Sequence, residues 1–142
     1  MFSGEYNIVG NNGNGEDVYI GADGVNVKGN AAHDVWVCED KGNDVFVASN
    51  APNPSTYLGH GNTNNAKLMP QSVELKAEDC GEGYYMFKST ESGLYLTLSD
   101  NPTDNVKFAE KDPVKPPKQK FIVVPIVHGG GYVPNAGLEP EF

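Results

Sequence analysis

The sequence is poor in cationic side chains and has no cluster of them. Its 142 residues contain ten Lys and Arg against nineteen Asp and Glu, which gives a formal net charge of −9. Nucleic acids and anionic membranes are bound largely by side chains that neutralise phosphates, so neither is an expected partner. The N-terminal segment MFSGE begins no basic stretch followed by an apolar one, and no run of about 18 apolar residues occurs. These absences predict a cytoplasmic protein that does not insert into membranes.

Cysteine, histidine clusters and nucleophile motifs are also scarce. Cys38 and Cys80 are too few for a disulfide framework, so we expect both to be free thiols. The three histidines fall in different predicted loops without the spacing of metal ligands. No Gly-x-Ser-x-Gly elbow occurs, and the glycine-rich segment 10–15 is not followed by the Lys-Ser/Thr of a phosphate-binding loop. We expect no catalytic residues, no metal site, no cofactor and no enzyme activity.

Turn-forming residues and short apolar stretches make up much of the chain. Seventeen glycines and ten prolines punctuate a sequence that is 38% hydrophobic and 10% aromatic. Apolar side chains mostly alternate with polar ones over four or five residues, as in half-buried strands, and no helix of useful length is predicted. The length corresponds to about one domain. Composition therefore favours a single all-β domain.

A tyrosine motif recurs three times. Tyr19, Tyr57 and Tyr95 are 38 residues apart in both intervals, a period typical of a repeated supersecondary unit. Four predicted strands accompany each tyrosine. The three sets are 5–9, 17–21, 25–28 and 35–38; 44–48, 55–59, 66–69 and 73–76; and 84–88, 93–97, 106–109 and 121–124.

Twelve strands in three pseudo-symmetric four-stranded units resemble the β-trefoil. In that fold six strands close a small barrel and three hairpins cap it, and closure removes exposed sheet edges. The resemblance covers residues 4–126. We therefore predict one β-trefoil domain over residues 1–126 and a C-terminal surface tail over 127–142.

The last strand of each predicted unit contains a related tripeptide. The three are Asp34-Val35-Trp36, Gln71-Ser72-Val73 and Gln119-Lys120-Phe121. They resemble a decayed form of the Gln-x-Trp signature of ricin-B-like lectins, including fungal ones, in which the ring packs in the core and the amide holds the adjacent loop. The resemblance implies a non-catalytic lectin or lectin-like protein with glycans as partners.

Sugar binding needs planar hydrogen-bonding side chains and an aromatic or imidazole face. If the lectin resemblance holds, the sugar is expected in a shallow hollow between the second and third strands of a unit. The candidate residues of the second unit are Tyr57, His60, Asn62, Asn65 and Gln71, and those of the third are Asp100 and Asn105. Asn and Asp are also ordinary turn formers, which is the competing interpretation of these residues.

Two other functions fit the sequence. Some fungal and plant β-trefoils resemble this chain in size and inhibit proteases through an exposed rigid loop. Lys28 and Gly29, predicted in a short exposed turn, suit a trypsin-like protease, and segment 10–15 suits the narrow cleft of a papain-like one. The third possibility is a non-catalytic partner subunit of another protein.

Overall fold

Twelve β-strands and a short 3₁₀ helix form the described part of the computed structural model, which comprises residues 2–11, 15–112 and 116–127. The first unit contains β1 (Gly4–Asn11), β2 (Asp17–Asp23), β3 (Asn26–Gly29) and β4 (Trp36–Gly42). The second contains β5 (Val45–Asn50), β6 (Asn53–His60), β7 (Ala66–Met69) and β8 (Leu75–Gly81). The third contains β9 (Tyr84–Ser89), β10 (Tyr95–Thr97), β11 (Lys107–Ala109), the 3₁₀ helix (Pro116–Gln119) and β12 (Phe121–Pro125). Of the predicted tail, residues 128–142 lie outside the described residues.

Two hairpin turns of the same construction join one unit to the next. Asp40 Oδ1 accepts a hydrogen bond from the Gly42 amide at 2.9 Å, and Asp79 Oδ1 accepts one from the Gly81 amide at 2.7 Å. Gly42 and Gly81 have φ angles of 86° and 85°, which glycine adopts without a steric penalty. The strand register shifts at both places. The Asp-x-Gly sequence thus fixes how β4 pairs with β5 and how β8 pairs with β9.

The first and fourth strands of the three units close a six-stranded barrel. The ring runs β1–β4–β5–β8–β9–β12 and returns to β1, with every pair antiparallel. A closed ring leaves none of these strands with a free edge.

The second and third strands form hairpins that cap this barrel: β2 with β3, β6 with β7, and β10 with β11. The third strands meet at a pseudo-threefold axis, where three Asn–Lys pairs face each other: Asn26 with Lys67, Asn65 with Lys107, and Asn105 with Lys28. This arrangement is the β-trefoil. The predicted all-β fold, with twelve strands in three units, is confirmed.

The core repeats with the same threefold pattern. Trp36, Leu75 and Phe121 are the first residues of β4, β8 and β12, and each is fully buried. Burying a side chain of this size stabilises the fold by about 1.5–3 kcal/mol. Trp36 also donates its indole N–H to the carbonyl of Ile20 at 3.1 Å, so the barrel is tied to the first hairpin.

Phe2 closes the barrel near its axis. Its ring makes edge-to-face contacts with Tyr6, Phe46 and Tyr85, with centroids 5.9, 5.2 and 5.1 Å away. Those three residues are equivalent in the three units, because they pair with Trp36, Leu75 and Phe121 respectively. One aromatic side chain outside the repeat therefore fills the space that the three units leave between them.

Candidate functional site

Strand pairing corrects the sequence alignment of the three tripeptides. Since Leu75 is the partner of Phe46 in β5, it is the equivalent of Trp36 and Phe121. The residue two positions earlier is Val73, and the prediction that Gln71 occupies this position is wrong. The equivalent residues are therefore Asp34, Val73 and Gln119, which are two polar side chains and one apolar one.

In the first unit, Asp34 fills the space between its loop and the second strand. Asp34 Oδ2 accepts hydrogen bonds from the Ala22 amide and the Asn50 side chain, both at 2.8 Å. Gly21 lies so close beneath the loop that a Cβ there would be 2.1 Å from the Ala32 carbonyl oxygen. The imidazole of His33 stacks on Tyr19 with ring centroids 4.0 Å apart. The loop and the strand are thus packed directly together.

In the third unit, Gln119 has the corresponding role. It is 1% exposed, and its Nε2 donates to Thr97 Oγ1 at 3.1 Å and to the Glu110 carbonyl at 2.9 Å. Its Oε1 accepts from the Asp112 amide at 2.9 Å. The hollow beside it, which we call the third-unit hollow, has a volume of about 230 Å³ and extends from Thr97 through Asp100 to Lys118. Lys118 forms an ion pair with Asp100 at its rim.

In the second unit, Val73 makes no such bridge. Its side chain packs over Gly59, where an added Cβ would be 2.5 Å from Val73 Cγ2. A hollow of about 350 Å³ remains open beside it. We call it the second-unit hollow, and its lining residues are His60, Gly61, Asn62, Met69, Gln71, Ser72, Val73, Ser89, Glu91 and Ser92.

His60 forms one wall of this hollow and is held by the protein itself. Its Nδ1 lies 3.0 Å from the Gly61 carbonyl and its Nε2 lies 2.8 Å from Ser92 Oγ. A carbonyl only accepts, so Nδ1 carries a proton and the Ser92 hydroxyl donates to Nε2 in the neutral ring. The ring also packs against Phe108, with centroids 4.8 Å apart. His60 therefore offers a fixed surface and has no ring nitrogen left over for a ligand.

The polar side chains that remain available are amides and a carboxylate. Asn62, Gln71 and Glu91 are exposed at the rim. Within the part of the chain that the structure describes, their side chains make no hydrogen bond or ion pair. Met69 and Val73 supply apolar surface beside them. The hollow thus combines unused hydrogen-bonding groups with an apolar patch and a fixed imidazole.

Three of the predicted sugar-binding residues come together in this hollow, namely His60, Asn62 and Gln71. Tyr57 and Asn65 do not line it. Sequence reasoning missed Glu91 and Ser92, because they belong to the β9–β10 turn of the third unit. The symmetry of the repeat suggests that each loop serves its own unit, whereas this turn lies against the hollow of the preceding one.

The predicted residues of the third unit lie in two different places. Asp100 is at the rim of the third-unit hollow, paired with Lys118. Asn105 lines another polar hollow with Lys28, Ser99 and Asp104, where the first and third units meet. Among the described residues, its side-chain oxygen is buried without a hydrogen-bond partner. The structure therefore does not join these two residues with those of the second unit.

Lys28 and Gly29 are not in the exposed turn that the sequence predicts. Both belong to β3, and Lys28 forms an ion pair with Asp23 at 2.9 Å. Gly29 is buried, and a Cβ there would lie 1.9 Å from the Pro102 carbonyl oxygen. Val27 and Gly29 are buried on either side of half-buried Lys28, which is the alternation of a strand in the hairpin cap. Of the other candidate inhibitory segment, 10–15, residues 12–14 lie outside the described residues.

Cys38 and Tyr95 have raised pKa values, and neither residue lines the second-unit hollow. Burial raises the pKa of the Cys38 thiol to about 12, so this thiol stays protonated at neutral pH. Burial, together with the hydrogen bonds that its hydroxyl donates to Glu78, raises the pKa of Tyr95. Cys38 and Cys80 are both free thiols, as the sequence predicts. Among the described residues, no group of three or more His, Cys, Asp and Glu side chains is arranged to hold a metal ion.

No protein-family model and no curated protein sequence matches the chain. Solved structures are similar to it. The crystal structure of ThreeFoil, a designed threefold-symmetric protein, has a TM-score of 0.68 at 19% identity, over 87% of this chain and 100% of ThreeFoil. SeviL bound to asialo-GM1 saccharide has a TM-score of 0.65 at 14% identity, over 89% of this chain and all of SeviL. A mosquitocidal holotoxin has a TM-score of 0.72 at 14% identity, where the match covers 89% of this chain and 18% of the toxin.

These similarities concern the fold. The identities of 14–19% accompany coverage of nearly nine tenths of the chain, in agreement with the closed barrel and its three-hairpin cap. The chain therefore has the β-trefoil fold.

No helix in the described residues is long and apolar enough to cross a membrane.

Proposed function

We propose that this protein binds carbohydrate without catalysing a reaction, and that the second-unit hollow is its binding site. The observation that carries the proposal is the replacement of a bridging polar residue by Val73. Because of it, Asn62, Gln71 and Glu91 lie around an open hollow with no hydrogen-bonding partner among the described residues. The equivalent space in the first unit is occupied by the contacts of Asp34, and that in the third is bridged by Gln119.

The chemistry of the hollow suits a pyranose ring. The two amides each offer donors and an acceptor, and the carboxylate accepts, so adjacent hydroxyl groups on a sugar find complementary partners. Met69 and Val73 provide an apolar surface for the C–H face of the ring. The volume of about 350 Å³ falls at the lower end of the range for small-molecule sites.

We expect weak affinity at a single site. Each hydrogen bond to a sugar replaces one to water, and the net gain is about 0.5–1.5 kcal/mol. A few such bonds correspond to a dissociation constant on the order of 1 mM. Tight binding to a cell surface or a branched glycan would therefore need several copies of the site acting together.

The fold provides supporting context. SeviL, which shares it at 14% identity, has been solved with asialo-GM1 saccharide bound. The β-trefoil is thus compatible with saccharide binding, while the particular residues proposed here depend on the geometry of the second-unit hollow.

A glycan array followed by NMR titration tests the proposal. A binding glycan should shift the amide signals of residues 60–62, 69–73 and 89–92. Asn62→Ala and Gln71→Ala should each weaken binding about three- to tenfold, the equivalent of one hydrogen bond. Asn65→Ala is the matched control, since it removes the same side chain from the same loop but outside the hollow, and it should bind like the wild type.

Two results would contradict the proposed site. One is the absence of any glycan binding, and the other is a loss on Asn65→Ala that equals the loss on Asn62→Ala. The protease-inhibitor and partner-subunit functions stay predictions from the sequence. Trypsin and papain inhibition assays on the same preparation test the first of them.

A further inference from the structure

We propose that the second-unit hollow selects uncharged sugars, and that Glu91, contributed by the third unit, is the residue that disfavours acidic ones. The inference rests on the proposed function. Glu91 comes from the third unit, as do Ser89 and Ser92, whereas the other residues that line the hollow belong to the second unit.

The formal charge that lines the second-unit hollow is negative among the described residues. Of the residues that the structure describes, Glu91 is the only acidic one that lines the hollow, and none of the lysines does. The third-unit hollow differs, because Lys107 and Lys118 line it together with acidic residues. The protein as a whole has a net charge of −9, so the wider field does not offset the local carboxylate.

The structure holds Glu91 at this position through its turn. The Thr90 amide donates to the Glu74 carbonyl at 3.1 Å, and the Gly93 amide donates to the Ser89 carbonyl at 2.8 Å. The Ser92 hydroxyl connects the same turn to His60 Nε2 of the second unit at 2.8 Å. Anchors on both sides of Glu91 fix its backbone between the second and third units, so its side chain extends from a defined position at the rim.

A carboxylate distinguishes neutral from acidic sugars by simple electrostatics. It accepts hydrogen bonds from hydroxyl groups, and such charge-assisted bonds are stronger than neutral ones. A carboxylate on the ligand instead repels it. Two like charges about 6 Å apart at a surface of intermediate dielectric weaken binding roughly tenfold. Since this site is open to solvent, salt should reduce the effect.

Matched pairs of hexoses and hexuronic acids provide the test, because they differ only by a carboxylate in place of a hydroxymethyl group. Glucose, galactose and mannose are titrated into the full chain alongside glucuronic, galacturonic and mannuronic acid, at low salt and about pH 8, where histidine is ordinarily neutral. For the hexose that binds best, we expect its acid to bind about tenfold more weakly. The ratio should fall toward about threefold at 0.5 M salt, as an estimate from screening.

Glu91→Gln and Glu82→Gln separate the local charge from the net charge. Both remove one negative charge, but Glu82 lies in the β8–β9 turn and does not line the hollow. Glu91→Gln should weaken binding of the hexose, because an amide accepts weaker hydrogen bonds from hydroxyl groups than a carboxylate does. It should strengthen binding of the uronic acid, so that the roughly tenfold ratio between the two falls to about one. Glu82→Gln should change neither by more than about twofold.

The outcomes separate the two proposals. If neither the hexoses nor the glycans of the array bind, the proposed function fails. If hexose and uronic acid bind equally, or if Glu91→Gln leaves their ratio unchanged, the selectivity inference fails while the binding function stands. Equal gains from Glu91→Gln and Glu82→Gln would assign selectivity to net charge and overturn the role of Glu91.

Discussion

The second and third units place different residues at one equivalent position, and their hollows differ as a result. In the third unit, Gln119 connects the second strand to the following loop through hydrogen bonds to Thr97, Glu110 and Asp112. In the second unit, Val73 packs on Gly59, and the polar side chains at the rim have no hydrogen-bonding partner in the described part of the chain. A single polar-to-apolar difference thus separates a hollow that is bridged by its own unit from one that is not. In a threefold fold, function is best sought where the repeat is broken.

The largest effect is expected from Gln119→Leu, which keeps the volume of the side chain and removes its three hydrogen bonds. The contact with Thr97 Oγ1 is buried, and those with the Glu110 carbonyl and the Asp112 amide are part-buried, so the free energy of unfolding should fall by about 2–3 kcal/mol. The measurement is the urea midpoint followed by circular dichroism. Gln71→Leu is the control, because Gln71 is exposed and should change stability by less than about 0.5 kcal/mol.

This pair of variants also decides between the two alignments of the repeat. The tripeptide pattern makes Gln71 the equivalent of Gln119, whereas strand pairing gives that place to Val73. Equal destabilisation by the two substitutions would support the tripeptide alignment and contradict the strand register.

The error in the alignment has a physical cause. Strands and turns follow from local alternation and from Gly, Asn and Asp at turns, so all twelve strands could be predicted from the sequence. The position of β8 depends instead on its pairing with β5 at Phe46 and Leu75, a contact between distant parts of the chain. The numbers of residues between the third and fourth strands, 30–35, 70–74 and 110–120, also differ. A tripeptide motif does not show how many residues separate the third strand from the fourth in each unit.

The candidate site likewise has residues that local sequence predicts and residues whose place depends on contacts between units. His60, Asn62 and Gln71 could be found because they follow one another around a single polar loop and its neighbour. Glu91 gave no signal, since its contribution depends on how the third unit packs on the second. Lys28 gave a misleading signal. An isolated lysine before Gly-Asn suggests a turn, but β3 continues through Lys28 to Gly29. Local chemistry can be predicted from sequence, and contacts between units cannot.

A smaller effect should follow from Gly59→Ala, which tests the packing that replaces the polar bridge in the second unit. The new Cβ would meet Val73 Cγ2 at 2.5 Å, and such overpacking costs about 1–3 kcal/mol. Val73→Ala in the same chain should recover part of this loss, and a double-mutant cycle on unfolding free energies measures the coupling. Gly61→Ala is the control, because a Cβ there meets nothing within 4 Å. If Val73→Ala rescues nothing, the two residues are not in the contact described here.

The smallest effect is expected from the ion pair at the rim of the third-unit hollow. The Asp100 side chain is 88% exposed, so its pairing with Lys118 should contribute less than about 1 kcal/mol and should weaken further with salt. Asp100→Asn tests this by urea unfolding at low and high salt. The same variant should gain no hexose binding at the third-unit hollow, because Gln119 still bridges the strand and the loop. New binding there would show that the ion pair, and not Gln119, keeps the third hollow from acting like the second.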